Sequence, residues 1–282
     1  MDLTPEMMAV LLEKFGKGWA WVYEKFWEKP DPSGTEESKP RKGLLVIGPG
    51  GTGKTTFAKL ISGQLLPWVF GDTGKYDESF GEETFTLSNE PNVQVVVPAG
   101  QAFRRESAWA DVRTDIASGR YSGVVFVVAF GHHTPSGTGY KSHPLYKGKK
   151  DEFLVSYTAT KREEELAALE FILPALETAP EKLWLMTLAT KQDLWWKERA
   201  AVEQFYKIGP WADHLAKVRA ARGARGFSHE FRPASITLSN LKDSEGTVLF
   251  PTTEGYDVEK QATSVKDLFN AFDALRNWED RS

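Results

Sequence analysis

Leu44-Leu45-Val46-Ile47-Gly48-Pro49-Gly50-Gly51-Thr52-Gly53-Lys54-Thr55-Thr56-Phe57-Ala58-Lys59-Leu60 is the stretch from which the fold follows. Four apolar residues, Leu44 to Ile47, have the length and composition of a buried strand. Gly48 to Thr55 then fill every position of the pattern G-x-x-x-x-G-K-[ST], and a helix-favouring run from Thr56 to Leu65 follows at once. Strand, glycine-rich turn and helix in that order make a phosphate-binding loop. The glycines let the backbone curl so that successive N–H groups point inward at phosphate oxygens, and the helix N-terminus adds its positive end. Lys54 is placed to reach the β- and γ-phosphates of a nucleotide. Thr55 is placed to give its hydroxyl to a magnesium ion carried by that nucleotide, and Thr56 continues into the helix.

Outward from the loop, composition sets the broad class. The chain has 282 residues, 41% of them hydrophobic, which suits a globular protein with one elaborated domain. There is no cysteine, so disulfides, thiolate metal sites and cysteine nucleophiles are excluded. The start of the chain has no basic run before an apolar stretch, and the longest apolar run, Val124 to Phe130, is too short to span a bilayer. A cytoplasmic protein is the expectation. A formal charge of −4 argues against nucleic acid as the main partner.

Upstream of the loop, residues 4–28 read as a helix with Thr4 as N-cap and Pro5 in its first turn. Met8, Leu12, Phe15, Trp19, Val22 and Phe26 form its apolar stripe. Its polar face mixes acids and lysines, which favours packing on the domain or on a protein partner over a membrane surface. Pro30 to Lys42 is a linker, giving an N-terminal segment of 1–42 and a domain of 43–282.

Downstream, Leu66 to Phe85 has the composition of a surface loop. Glu83 to Leu87 and Val93 to Val97 read as a hairpin, and a polar helix extends to about Ser118. Gly123 to Phe130 is a buried strand. Residues 131–160, with His132, His133 and several lysines, read as an insertion loop whose histidines are polar loop residues. A charged helix from Lys161 and a strand from Lys182 to Ala189 come next. Helices at about 194–206 and 210–222, a strand near 230–238, a hairpin arm at Thr247 to Phe250 and a helix from Val258 to Trp278 complete the chain. The alternation predicts an α/β fold of three layers, the P-loop NTPase fold, with a mostly parallel six-stranded sheet and one antiparallel edge strand. Ligands then meet the carboxyl ends of the strands, where the phosphate loop, the turn after Val97 and the turn after Ala189 converge.

Thr190-Lys191-Gln192-Asp193 at the end of an apolar strand resembles the [NT]-K-x-D base-recognition motif of Ras-like and Arf-like small GTPases, and the element order agrees with theirs. The resemblance implies GTP or GDP and magnesium as ligands. It makes Asp193 the acceptor for the N1–H and 2-amino group of guanine, with Lys191 along the base and Thr190 tying this loop to the phosphate loop. Val97-Pro98-Ala99-Gly100-Gln101 resembles the family's D-x-x-G-Q, which places the Gly100 N–H at the γ-phosphate and Gln101 on the attacking water. Tyr76 to Ser79 resembles the first switch, with Ser79 as metal ligand and Thr84 as competitor. Ser239-Asn240 is an approximate counterpart of the family's Ser-Ala-Lys base loop, and Ala234-Ser235 competes with it. The chain departs from the family at Val97, where an acid holds the magnesium's water shell; Asp72, Asp77 and Glu78 are the sequence candidates for that role.

The resemblance implies a GTP-binding switch that hydrolyses GTP to GDP and phosphate, with Lys54, Gly100 and Gln101 as catalytic groups. Two other readings are a GTP-binding module with little hydrolysis, which Val97 favours, and a P-loop kinase, against which the T-K-Q-D motif speaks. Protein partners are expected at the N-terminal helix, the switch loops or the basic insertion.

Overall fold

Side chains along the strands alternate between two apolar layers, and this alternation builds the sheet's two cores. Leu44, Val46, Val95, Val97, Val125, Val127, Trp184 and Met186 face one side, while Leu45, Ile47, Val96, Val124, Phe126, Leu183 and Leu185 face the other. The computed structural model describes residues 42–64, 81–88, 90–100, 102–135, 137 and 139–281. The expected N-terminal helix, Asp72, Asp77, Glu78, Ser79 and Gln101 lie outside the described residues.

Six strands form the main sheet: β1 Gly43–Ile47, β2 Glu83–Leu87, β3 Glu90–Val97, β4 Tyr121–Val128, β5 Leu183–Ala189 and β6 Phe227–Pro233. Their order is β2-β3-β1-β4-β5-β6. Every neighbouring pair is parallel except β2 with β3, so the antiparallel strand is the edge, as expected. Helices α1 (Lys54–Ile61) and α5 (Val258–Asp280) cover one face. The other is covered by α2 (Ala102–Ala117), α3 (Lys150–Thr178) and α4 (Pro210–Gly226). This is the three-layer P-loop fold. No helix among the described residues is long and apolar enough to cross a membrane.

Two expectations need correction. Helix α3 begins at Lys150 rather than Lys161, because Phe153 and Tyr157, one turn apart, are buried and draw the segment into helix. They join Tyr140, Leu194, Leu241 and Leu249 in a third apolar cluster. The short hairpin of β7 (Leu241–Lys242) and β8 (Val248–Phe250) therefore packs with the insertion and with the helix that follows the T-K-Q-D motif. His132 and His133, expected as polar loop residues, are instead 3% and 1% exposed. The loop after β4 turns inward, and both rings are enclosed.

Val97 is 1% exposed and packs in the same core as Leu44, Val46 and Phe57. An acid at this position would be buried among apolar groups without a partner. Val97→Asp is therefore expected to lower stability by about 3 kcal/mol. A urea unfolding midpoint equal to that of the wild type would contradict the packing described.

Candidate functional site

Because β1, β3, β4, β5 and β6 run parallel, the loops after all five open at one edge of the sheet. The phosphate loop after β1 is held by its own side chains. Thr52 Oγ1 donates to the Pro49 carbonyl at 3.0 Å, and Lys54 Nζ donates to the same oxygen at 2.9 Å. Gly51 has φ 74°, and a Cβ there would lie 2.4 Å from the Thr134 carbonyl oxygen, so only glycine fits. The N-cap of helix α1 is Gly53, which has no side chain to cap it. Its first-turn N–H groups give the loop an electropositive end.

The turn after β3 comes against this loop. A Cβ on Gly100 would lie 2.1 Å from Lys54 Nζ, so the Gly100 backbone sits beside the lysine. Trp109 of α2 fixes the turn by donating from Nε1 to the Ala99 carbonyl at 3.1 Å. Thr55 Oγ1 donates to Glu83 Oε2 at 2.9 Å. Thr84, the competitor for the metal, pairs in register with Val96, whose side chain belongs to the opposite core, and so stands on the wrong face for Thr55.

The T-K-Q-D segment is tied to the phosphate loop directly. The Thr190 hydroxyl donates to the Thr52 carbonyl at 2.5 Å, with the Val128 carbonyl at 3.0 Å. Lys191, in the left-handed region at φ 56°, donates from Nζ to Gly51 O (2.7 Å), His132 O (2.8 Å) and Thr134 Oγ1 (2.9 Å). Burial pushes its ammonium down to about 7, against the carboxylates of Asp193 and Glu165. Trp195 Nε1 donates to the Thr190 carbonyl at 2.8 Å, so this tryptophan fixes the loop as well as packing the helix after it.

Asp193 is 1% exposed. Its carboxylate accepts from the Ser235 hydroxyl, from the Thr252 hydroxyl at 3.3 Å and from the Ser239 N–H. Burial pushes its pKa up, and these hydrogen bonds oppose the shift. Both candidate base-loop pairs therefore reach this corner by different means. Ser235, just past β6, meets Asp193 through its side chain, and Ser239 through its backbone. Asn240 turns to Thr252, accepting from its N–H at 2.8 Å.

Glu165 carries no signal in the motifs, yet it organises the loop after β4. It is fully buried, and its Oε1 accepts from the N–H groups of Ala129 (2.8 Å) and Gly131 (3.2 Å) and from His133 Nε2 (2.8 Å). Oε2 accepts from Tyr206 at 2.5 Å. Burial pushes Glu165 up, but His133, Tyr206 and the Ala129 N–H hold it below its ordinary value; burial also keeps His133 below its own. The trace in the sequence is spacing: Glu165 lies three, four and seven residues before the buried Ala168, Leu169 and Ile172, on the apolar face of a helix that reads as charged. The loop it holds reaches the phosphate loop through Thr134 N–H to Gly51 O at 3.0 Å.

No protein-family model and no curated protein matches the chain. Among solved structures it is similar to the signal recognition particle receptor SRb with GDP from Chaetomium thermophilum. That match has 12% identity and TM-score 0.37, over 71% of this chain and 92% of the other. It is also similar to the ADP-ribosylation-factor-like GTP-binding protein, a small COPII coat GTPase, from Encephalitozoon cuniculi in complex with GDP. Identity is 13% and the TM-score 0.35, over 95% of this chain and 94% of that one.

Glu165→Gln keeps the shape but turns an amide N–H₂ toward N–H and O–H donors. The expected loss is about 2–3 kcal/mol in stability. An unfolding midpoint unchanged by the substitution would show that the carboxylate does not hold this loop.

Proposed function

We propose that the chain is a guanine-nucleotide-binding switch protein that hydrolyses GTP to GDP and phosphate. The observation that carries this reading is the join between Thr190, Lys191 and the phosphate loop. It puts a phosphate cradle and a buried carboxylate side by side on one edge. Guanine offers Asp193 donors at N1 and at the 2-amino group, and adenine has a donor at neither position, so the carboxylate selects the base. The entering base takes the place of Thr252 on Asp193 Oδ2, while Ser235 keeps Oδ1 oriented.

The donor set at the phosphate end fits a hard divalent cation: a threonine hydroxyl, a carboxylate beside it and the oxygens of the nucleotide. When bound, magnesium neutralises charge on those phosphate oxygens. Thr55, and Ser79 from the first switch, are the proposed protein ligands. Lys54, which bonds Pro49 O in this structure, turns to the phosphates, and the Gly100 N–H meets the γ-phosphate. Gln101 orients the attacking water. Catalysis of this kind is positional and electrostatic. The N-terminal segment 1–42 is assigned to contact with a protein partner. A module that binds GTP and hydrolyses it slowly is the second reading, favoured by the apolar burial of Val97.

Displacement of labelled GDP tests the base. GTP is expected to compete at least about a hundredfold better than ATP, since adenine would leave a desolvated carboxylate without donors. Equal competition would overturn the guanine assignment. Asp193→Asn should weaken GTP and favour xanthosine nucleotides, because an amide donates to the carbonyl that replaces the 2-amino group. For turnover, Gln101→Leu should lower the rate at saturating GTP by more than about tenfold with GTP affinity nearly unchanged. Equal single-turnover rates for variant and wild type would remove Gln101 from the mechanism and favour the slow module.

A further inference from the structure

The acid missing at position 97 has a counterpart on the neighbouring strand. Glu83 and Val97 face each other in the β2–β3 register. Residues directly opposite in an antiparallel pair project from the same face of the sheet, with Cβ atoms about 5 Å apart. Val97 faces the core under α1, so the Glu83 side chain rises on the α1 side. There its Oε2 accepts from Thr55 Oγ1 at 2.9 Å, at the first turn of α1. Glutamate is one methylene longer than aspartate, which lets it reach the phosphate-loop threonine from one strand further out.

We infer that Glu83, working from the edge strand, supplies the carboxylate of the divalent-cation site at Thr55, in the role that the turn after β3 cannot fill. The inference rests on the nucleotide reading above. Its chemistry follows from the observed hydrogen bond. A threonine hydroxyl that donates its proton to Glu83 is left with its oxygen lone pairs for a cation, so the carboxylate orients the ligand. Magnesium sites use one or two carboxylates together with phosphate oxygens and retained waters, and Glu83 brings the negative charge that Val97 lacks. Among the described residues, three other acids are buried and engaged elsewhere. Asp193 is held by Ser235, Glu165 by His133 and Tyr206, and Asp243 by the N–H groups of Tyr140, Glu245 and Thr247.

The test titrates Mn²⁺ onto the GDP complex of the full chain and follows free Mn²⁺ by electron paramagnetic resonance. GDP affinity in EDTA is measured alongside. Glu83→Gln can still accept from Thr55, so the fold is retained, and Mn²⁺ affinity should fall roughly tenfold to a hundredfold with metal-free GDP affinity unchanged. Glu82→Gln, an exposed neighbour, should match the wild type. If Glu83→Gln is insoluble, Glu83→Asp replaces it, with a loss in the same direction because the shorter side chain cannot reach. Unchanged Mn²⁺ affinity in a variant that holds GDP overturns the role of Glu83 alone. A wild type that holds no GDP overturns the nucleotide reading and this role with it.

Discussion

Lys191 joins three loops through one ammonium group. Its three donors go to oxygens of the phosphate loop and of the segment after β4, and its own backbone belongs to the loop after β5. A lysine head with three acceptors is fully satisfied, which is why a partly buried cation is tolerated here. The left-handed backbone at Lys191 is part of the same arrangement. Such a conformation in a non-glycine residue is unfavourable and persists only where its surroundings over-determine it. Phe130, two residues past β4, is in the same region of conformational space, so two of the loops at this edge carry local strain.

The turn after β4 is held in place for a related reason. A carboxylate buried at Glu165 would be costly alone, but four donors around it compensate. Two are backbone N–H groups at the very turn where β4 ends, so the network fixes the path of the chain rather than a side chain alone. Tyr206 comes from the π-helical stretch Gln204–Ile208, and its hydroxyl oxygen also accepts from the Phe130 N–H at 3.1 Å. Helix α3 and the stretch before α4 are thereby coupled to the phosphate loop through the segment after β4.

At the phosphate loop, two residues paired across β2 and β3 have different tasks. Val97 serves the core, and the carboxylate on Thr55 comes from Glu83 across the β-pair. The antiparallel edge strand makes this possible, because its first residue is brought level with the last residue of β3. The third apolar cluster joins Leu194, just after Asp193, to the insertion and the β7–β8 hairpin.

The sequence by itself determined the phosphate loop, the strand order's parallel character, the antiparallel edge and the position of Thr190 to Asp193. Each is local: a pattern of glycines, an apolar run of strand length, or a short turn between them. What only the tertiary structure decided are the contacts between residues far apart in the chain. Glu165 reads as one more charge in the run from Lys161, and the two histidines read as loop residues, until the fold buries all three at one turn. The start of α3 was hidden because Phe153 and Tyr157 bury against a hairpin nearly a hundred residues later, which the helical period of the segment alone does not show. Glu83 could not be paired with Thr55 from sequence, since the register between β2 and β3 and the parallel placement of β3 beside β1 together set which acid faces the phosphate loop.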